Sequence, residues 1–441
     1  MARLLGRYDH EINFPSEDDF IILHGPNGVG KTMLLELIRA TGSPLRVGRI
    51  ATLPFDSVTF TYSDGCVLEV IKNDPATPAL FEPEPEDQSI NIRFRLQTPE
   101  RNTWVEWSAG LAGGIEREAR QLSRYLPVER LGPDLWHDHS ADESISWFEV
   151  LDRYGDLLPQ SVSLRKKSMP TELAEFVDQL NIHLIETQRL LTFEPRRPAR
   201  TPRESLGKSD KVTDFSNDLR RRLAEALAEN SRTSQELDRT YPSRLIQANT
   251  ELPPEDEIRS RYREQNDLRR RLADVSLLDE KAGSILLPKT LADWEKKVLW
   301  LYLEDSEKKL STFKELLDRL SLLLEIINAR FLSKNLKIDR NKGIQVVTDD
   351  GRELDPSRLS SGEQHELVLL YDLLFSAPAG GLVLIDEPEI SLHVTWQQRF
   401  LEDIQRIAEV VGFRFIVATH SPQIVGNWIG RAVALTPERE G

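Results

Sequence analysis

The chain has 441 residues, of which 39% are hydrophobic and 29% charged, and its formal net charge is −15 at pH 7. This length allows two or three structural units, and the acidic balance argues against a globally basic nucleic-acid-binding protein. A single cysteine, Cys66, excludes an internal disulfide framework and predicts a packing residue in a reducing compartment. Without a membrane-length apolar run or a signal-peptide core near residue 1, we expect no membrane association and a cytoplasmic location.

The first part of the sequence predicts an α/β unit with a β-rich lobe. Residues Phe20–His24 form an apolar run typical of a buried strand, and a helical pattern from Thr32 ends at a Gly-Ser-Pro exit. The dipeptide Asp64-Gly65 between two β-rich runs predicts a hairpin. Further strands are predicted at 57–62, 66–71, 90–96 and 103–107, with a proline-rich acidic surface loop at 74–87.

The middle of the sequence predicts mainly helices. A strand is expected at 181–187, followed by a linker rich in proline and arginine at 194–203. From 212 to 331 the chain is rich in Arg, Glu, Leu and Lys, and we expect three long helices at 212–240, 255–279 and 289–331. Because sustained heptads are lacking, this region predicts a helical insertion or short coiled-coil arm and not a long rod.

The last part of the sequence returns to an α/β pattern. It predicts a hairpin at 336–348, helices at 363–375 and 395–411, strands at 382–385 and 414–418, and an edge strand at 431–435. These changes in pattern divide the chain into an N-terminal segment at 1–200, a helical insertion at 201–332 and a C-terminal segment at 333–441.

Residues Gly25–Thr32 match the phosphate-binding pattern G-x-x-x-x-G-K-[ST] in full, between a predicted strand and a predicted helix. The glycines allow successive backbone N–H groups to converge on phosphate oxygens, at a helix end that carries partial positive charge. We expect Lys31 to reach the β- and γ-phosphates of ATP and Thr32 to bind Mg²⁺. The remaining expected contacts come from the loop residues Asn27, Gly28, Val29 and Gly30.

Two acidic residues, Asp386 and Glu387, follow the apolar run 382–385. We expect Asp386 to hold Mg²⁺ beside Thr32, and Glu387 to polarise the water that attacks the γ-phosphate. An Asp-Glu pair after an apolar strand is by itself more often a helix cap. Behind a P-loop, it predicts an ATP-hydrolysing site.

Two further segments have an ordinary interpretation and a functional one. The turn Ser360-Ser361-Gly362 opens a predicted helix, either as a plain N-cap or as an anion-binding helix end. His420 ends a predicted strand, either as a surface histidine or as a γ-phosphate contact. In isolation, the ordinary interpretation would be favoured for both.

Together and in this order, these segments resemble the motif set of ABC-type ATPases. Leu359–Gln364 resembles the signature motif in the LSSGEQ form of the SMC/RecF/OLD-like branch, Asp386–His393 resembles its Walker B and D-loop, and His420 its switch histidine. The resemblance covers about 1–70 and 335–435. It implies an α/β P-loop ATPase head, with mixed β-sheet lobes and flanking helices, interrupted by the helical insertion.

The resemblance also implies how the site is completed. In this family the turn corresponding to Ser360–Gly362 of a second protomer closes over the γ-phosphate, which gives a homodimer or higher homo-oligomer around two Mg-ATP. Hydrolysis opens the dimer. Gln188, which follows the predicted strand 181–187, resembles the family's lid glutamine and is expected to contact Mg²⁺ and water.

Several features distinguish subclasses of such ATPases. The interval from Thr32 to Leu359 is much longer than in a transporter cassette, and the absence of Cys-x-x-Cys excludes a zinc hook. From the short stretch after His420, we expect no C-terminal nuclease domain of the kind that OLD-type proteins carry. The chain resembles the stand-alone ATPase subunits of prokaryotic anti-phage systems such as Septu and PARIS, which implies a nucleotide switch or sensor that controls a separately encoded effector, often a nuclease.

Two alternatives remain open from the sequence. The first is a DNA-repair clamp of the RecF/SMC type, in which basic clusters at 196–203, 220–222 and 269–271 contact DNA. Solvated helix faces interleaved with acidic residues explain these clusters better, given the net charge. The second alternative is an ATP-bound scaffold that restrains a toxic partner without cycling.

Overall fold

The computed structural model describes residues 4–5, 8–14, 19–43, 49–50, 53–72, 92–109, 126, 128–131, 135–138, 143–146, 150, 169–185, 191–192, 209–247, 253–279 and 287–435. The chain forms two compact units, the first comprising Met1–Ser209 with Ala377–Gly441 and the second Asp210–Ser376. This division differs from the sequence-based boundaries, because 333–376 falls with the helices of the second unit. The predicted linker 194–203, the loop 74–87 and Gln188 lie outside the described residues.

Most described elements lie near their predicted positions, but three short strands between 128 and 146 occur where mainly helices were expected. The strands are β1 (Phe20–His24), β2 (Ser57–Thr61), β3 (Val67–Lys72), β4 (Ile92–Thr98), β5 (Arg101–Ala109), β6 (Val128–Arg130), β7 (Leu135–Asp138), β8 (Glu143–Ser146), β9 (Ile182–Ile185), β10 (Leu191–Thr192), β11 (Ser209–Asp210), β12 (Lys334–Asp339), β13 (Gly343–Thr348), β14 (Glu353–Leu354), β15 (Leu382–Asp386), β16 (Arg414–Thr419) and β17 (Ala432–Ala434). The helices are α1 (Lys31–Thr41), α2 (Thr171–Gln179), α3 (Lys211–Gln247), α4 (Glu255–Asp274), α5 (Asp293–Ser311), α6 (Lys314–Asn328), α7 (Ser361–Phe375), α8 (Val394–Gln397), α9 (Phe400–Val411) and α10 (Pro422–Val425).

The core of the first unit is a parallel sheet in the order β17-β1-β16-β15-β9. Its central strands are continuous apolar runs, as expected for parallel strands covered on both faces. The register pairs His24 with Thr419 and Asp386 with Ala418, so β1, β15 and β16 end at one edge of the sheet. The predicted α/β class is confirmed, and the loops that follow these strands meet at that edge.

A second, antiparallel sheet of the first unit has the order β2-β3-β4-β5. Its alternating inward residues, among them Leu68, Val70 and Phe94, form one core cluster with residues of α1 and α2. The predicted Asp64-Gly65 hairpin is present between β2 and β3, with Gly65 at φ +83°. Cys66 beside this turn is buried, which fits its prediction as a packing residue.

The second unit contains α3 to α7 and the antiparallel sheet β12-β13-β14. The prediction of one helix over 289–331 is wrong, because α5 ends at Ser311 and α6 begins at Lys314. At the break Phe313 is fully buried, and the Asn230 amide donates to the Lys309 carbonyl at 2.6 Å and to Thr312 Oγ1 at 3.2 Å. These bonds replace backbone N–H donors, which the last carbonyl groups of a helix lack.

Two other predicted helices have different bounds. The helix predicted at 395–411 is divided into α8 and α9, and α3 continues through Pro242, where its end was expected. Near this proline the Leu237 carbonyl accepts from Arg244 at 2.9 Å and from Thr240 Oγ1 at 3.1 Å, and Arg244 also pairs with Asp305. The side-chain contacts to Leu237 lie one residue before the Asp238 carbonyl, which is the carbonyl that Pro242 leaves without its helical N–H donor. Among the described residues, no helix has the length and apolarity needed to cross a membrane.

Candidate nucleotide-binding site

The loop between β1 and α1 depends on glycine for its shape. Gly28 and Gly30 lie at φ +88° and +91°, in the left-handed region that other residues rarely adopt. A Cβ on Gly30 would lie 2.7 Å from Leu4 Cδ2, and one on Gly25 would lie 2.5 Å from the Leu435 carbonyl oxygen. Because glycine is also the N-cap of α1, no side chain satisfies the first N–H groups of this helix. These donors therefore form a site suited to an anion.

Lys31 is folded back onto this loop. Its Nζ donates to the carbonyl oxygens of Gly25 at 2.9 Å and of Pro26 at 3.0 Å, and only 4% of the residue is exposed. A buried ammonium group needs such acceptors to offset its lost hydration. A phosphate that enters the loop can take over this role, as the sequence predicts.

Thr32 and Asp386 are brought together by the sheet register, although they are far apart in sequence. Thr32 Oγ1 donates to Oδ1 and Oδ2 of Asp386 at 3.2 and 3.0 Å. Burial raises the pKa of Asp386 to about 6, the Thr32 hydrogen bond opposes this shift, and the charge of Glu387 adds to it. A cation at this position would offset the cost of the buried carboxylate.

A hydroxyl next to a carboxylate is a donor set that Mg²⁺ accepts when phosphate oxygens and water complete its octahedron. Within the described part of the chain, no group of three or more His, Cys, Asp and Glu side chains could hold a metal ion alone. Thr32 and Asp386 therefore fit a magnesium ion that arrives with a nucleotide.

Glu387 has a strained backbone at the edge of the sheet. Its φ is +40°, an uncommon value for a residue with a side chain, and its N–H donates to the Ala418 carbonyl at 2.9 Å. Its Oε1 lies 3.7 Å from His420 Nδ1. The structure thus brings together Lys31, Thr32, Asp386, Glu387 and His420, which were all predicted from sequence.

Glu389 also belongs to this group, although its position in the sequence predicted no role for it. Its Oε1 accepts from Thr419 Oγ1 at 2.7 Å and from the N–H groups of His420 at 2.7 Å and Ser421 at 3.1 Å. The same oxygen lies 3.0 Å from His420 Nδ1. The available signal was its position one residue after Pro388 in the Walker B segment, but spacing alone does not show which loop it contacts.

A family model described as "AAA domain, putative AbiEii toxin, Type IV TA system" matches residues 183–426, more than half of the chain. The protein belongs to this AAA-domain family. The match includes the signature-like turn, Asp386-Glu387 and His420, and the P-loop precedes it. The prediction of an ATPase related to prokaryotic defence proteins is confirmed at the level of the family.

Individual relatives are more distant. A protein of Escherichia coli named "Retron Ec83 probable ATPase" is 30% identical over an alignment of 142 residues, and the match covers 28% of this chain and 26% of that protein. The chain thus matches about a quarter of the relative's length. Among solved structures, an SMC head bound to the C-terminal winged-helix domain of ScpA has a TM-score of 0.31 and 12% identity, covering 95% of this chain and 86% of that one. An SMC head domain from Thermotoga maritima has a TM-score of 0.26 and 11% identity, covering 92% and 83%.

The signature-like turn of this AAA-domain protein lies in the second unit. Ser360 is the N-cap of α7 in a capping box, in which its N–H and hydroxyl donate to Glu363 Oε2 at 2.9 Å each. Lys334 Nζ holds both oxygens of Glu363 at 2.8 Å. The ordinary interpretation of Ser360 as an N-cap is therefore correct. The proposed contacts of Ser360, Ser361 and Gly362 with the nucleotide of a second copy stay a prediction.

The arginine clusters of the second unit engage neighbouring side chains. Arg221 and Arg222 both pair with Asp218, and Arg222 also donates to the Phe375 carbonyl at 3.0 Å. Arg270 and Arg271 lie 3.3 and 3.7 Å from carboxylates of Asp267 and Asp318, respectively. This pattern fits solvated helix faces better than a row of phosphate contacts. The cluster at 196–203 lies outside the described residues.

Proposed function

We propose that the protein binds and hydrolyses Mg-ATP at the edge of its parallel sheet and uses this cycle to control a separately encoded effector in prokaryotic defence. The observation that carries the enzymatic part is the direct contact of Thr32 with Asp386, beside a buried Lys31. They are 354 residues apart in sequence, and the sheet register together with the packing of α1 brings them into contact. Membership of the AAA-domain family supports the same activity.

Each side chain has a distinct task in this proposal. Lys31 and the N–H groups of 27–32 bind the phosphates, and Thr32 and Asp386 hold the magnesium ion, which neutralises phosphate charge when bound. Glu387 orients the attacking water and accepts its proton. His420 contacts the γ-phosphate, where negative charge must be stabilised. Gln188 is proposed as an additional contact to the ion and its water.

A second copy completes the site in this proposal. Its Ser360–Gly362 turn closes over the γ-phosphate, so that ATP favours a dimer and hydrolysis releases it. The family description and the name of the retron relative support a defence context, in which the released or closed state is sensed by an effector protein. In this proposal, ATP binding and hydrolysis change only whether the ATPase is a dimer. A separate effector protein is therefore proposed to convert that change into a defence response.

Steady-state ATP turnover of wild type, Glu387→Gln and Lys31→Ala tests the proposal. Removing the proton acceptor should lower kcat by about 100-fold or more while ATP still binds, whereas Lys31→Ala should abolish binding. Glu402→Gln, at an exposed position of α9, is the matched control and should behave as wild type. Equal, negligible rates for wild type and Glu387→Gln would contradict hydrolysis and favour the non-cycling scaffold.

The switch is tested with the same variant. Glu387→Gln should form a dimer in Mg-ATP, measured by light scattering after gel filtration, and should remain monomeric with Lys31→Ala in addition. Purification of this trapped form from its native host should enrich one specific protein. A molar mass that does not change with ATP would contradict the proposed switch, and so would a purification that yields no ATP-dependent partner. Neither result would affect the conclusion about hydrolysis.

A further inference from the structure

We infer that Glu389 is the positioning residue of His420 and holds both its backbone and its ring in the arrangement that hydrolysis needs. The inference rests on the proposed ATPase activity and deepens it. Glu389 lies in a 3₁₀ turn after β15, and His420 follows β16, so the contact joins the loops of two adjacent strands. The strand pairing of β15 with β16 ends before these two loops, so a side-chain contact is needed to join them.

The backbone of the histidine loop converges on one carboxylate oxygen. Glu389 Oε1 accepts from the N–H groups of His420 and Ser421 and from the Thr419 hydroxyl, at 2.7 to 3.1 Å. Glu389 is 8% exposed, and Thr419 and Ser421 are buried as well. Charge-assisted hydrogen bonds in a dry environment are stronger than those in water. They restrain the path of the chain through His420.

The histidine ring is closer to Glu389 than to Glu387. His420 Nδ1 lies 3.0 Å from Glu389 Oε1 and 3.7 Å from Glu387 Oε1, so both carboxylates are within ion-pair distance of the ring and Glu389 is the nearer one. A carboxylate that accepts the Nδ1–H sets the tautomer and leaves Nε2 as the atom available to a ligand. The carboxylate of Glu387 lies farther from the ring, at 3.7 Å, which leaves room for its proposed contact with water.

Gln397 supports the same loop from another side. Its Oε1 accepts from Ser421 Oγ at 2.8 Å, and its Nε2 donates to the Leu392 carbonyl at 3.0 Å. The segment of Glu389 and the segment of His420 are therefore joined by two separate side-chain contacts. Of Glu389 and Gln397, it is Glu389 that also lies next to the imidazole, which distinguishes its role from that of a general support.

A double-mutant cycle on ATP hydrolysis tests the inference with Glu389→Ala, His420→Ala and the double variant. If Glu389 acts through His420, Glu389→Ala should lower kcat by about 10- to 100-fold with KM changed less than about threefold. The double variant should be no slower than His420→Ala, because the two effects share one cause. Glu389→Gln, which keeps the accepting oxygen, should recover most of the rate.

Two results would overturn the inference while leaving the proposed function standing. One is a double variant slowed by the product of the two single effects, and the other is a loss confined to KM. If Glu389→Ala does not fold, Glu389→Asp withdraws the carboxylate by one methylene group and enters the same cycle with the same expectation. A wild type without ATP turnover would instead contradict the proposed function.

Nitrogen NMR of the imidazoles provides a readout without nucleotide. The chain has eight histidines, and the His420 signals are those missing from His420→Ala. In wild type the neutral ring should carry its proton on Nδ1, and Glu389→Ala should shift the population toward the Nε2–H form. An Nε2–H tautomer in wild type, or a tautomer unchanged by Glu389→Ala, would contradict the inference.

Discussion

At the scale of single residues, the proposed site combines groups that are unfavourable for folding but suited to binding. Asp386 is buried, and so is Lys31, whose ammonium bonds to the carbonyl oxygens of Gly25 and Pro26. Glu387 has a positive φ. Strain and buried charge concentrated in one place are typical of functional sites, because a ligand can relieve them.

Asp386→Asn should stabilise the nucleotide-free protein at pH 7 and abolish Mg-ATP hydrolysis. Since the folded-state pKa of Asp386 is raised to about 6, the folded protein loses stability as pH rises from the ordinary carboxylate range through 6. Removing that charge should recover about 1–3 kcal/mol, measured by urea unfolding in EDTA.

The pH dependence provides the control for this prediction. At pH 5 the wild-type carboxyl is largely protonated, so the difference between the two proteins should shrink. A difference that stays constant between pH 5 and pH 8 would show that Asp386 carries no such cost.

At the scale of elements, the sequence predicts best what depends on local geometry. The P-loop could be predicted because its backbone needs glycine at positions of positive φ. The strands β1, β15 and β16 could be predicted because a buried parallel strand is continuously apolar. The break at Phe313 was missed because neither glycine nor proline marks it and a distant amide, Asn230, stabilises it. The contact of Glu389 with His420 was missed for the same reason, since it joins two loops.

Gly30→Ala should weaken both the fold and ATP binding. The alanine would have to adopt a positive φ, and its Cβ would lie 2.7 Å from Leu4 Cδ2. We expect a loss of about 1–3 kcal/mol in the free energy of unfolding and no detectable binding of a fluorescent ATP analogue.

Gly412→Ala is the matched control for this substitution. Gly412 caps α9 at φ +84°, but a Cβ there would have no neighbour within 4 Å. It should cost about 1 kcal/mol from the backbone alone and leave ATP binding intact. Equal losses of ATP binding in both variants would contradict the specific role of the P-loop glycine.

Asn230→Ala should destabilise the second unit by about 1 kcal/mol, because it removes the amide bonds to the Lys309 carbonyl and to Thr312 Oγ1, while that carbonyl keeps the Thr312 hydroxyl as a donor. The nearby Arg232→Ala is the control. Arg232 is well exposed and pairs only with Glu229 in the described structure, so its loss should change stability by less than about 0.5 kcal/mol. Chemical unfolding monitored by helical circular dichroism would measure both, and equal effects would count against the proposed cap.

At the scale of the whole molecule, the motifs that resemble an ABC-type site are divided between two compact units. Lys31, Asp386 and His420 belong to the first unit, and the Ser360–Gly362 turn belongs to the second. The sequence predicted that these motifs belong together, because their order along the chain is that of ABC-type ATPases. It could not predict the grouping of 333–376 with the helical segment, which depends on packing between distant elements.

A mixing experiment tests whether two copies share each site. Lys31→Ala and Gly362→Asp should each be inactive alone, but a heterodimer of the two contains one intact pair of P-loop and signature turn. An equal mixture should therefore recover about a quarter of wild-type turnover, because half of the dimers carry one of two sites. Activity absent at every ratio would contradict a site shared in this manner.

The position of Lys31 also has a consequence for affinity. Its ammonium bonds to two carbonyl oxygens of its own loop, so a nucleotide must displace an internal competitor before it gains this contact. The measured dissociation constant is therefore a difference between two sets of hydrogen bonds and not the strength of one. Changes that only reshape the Gly25-Pro26 backbone should alter ATP affinity in either direction without touching a phosphate.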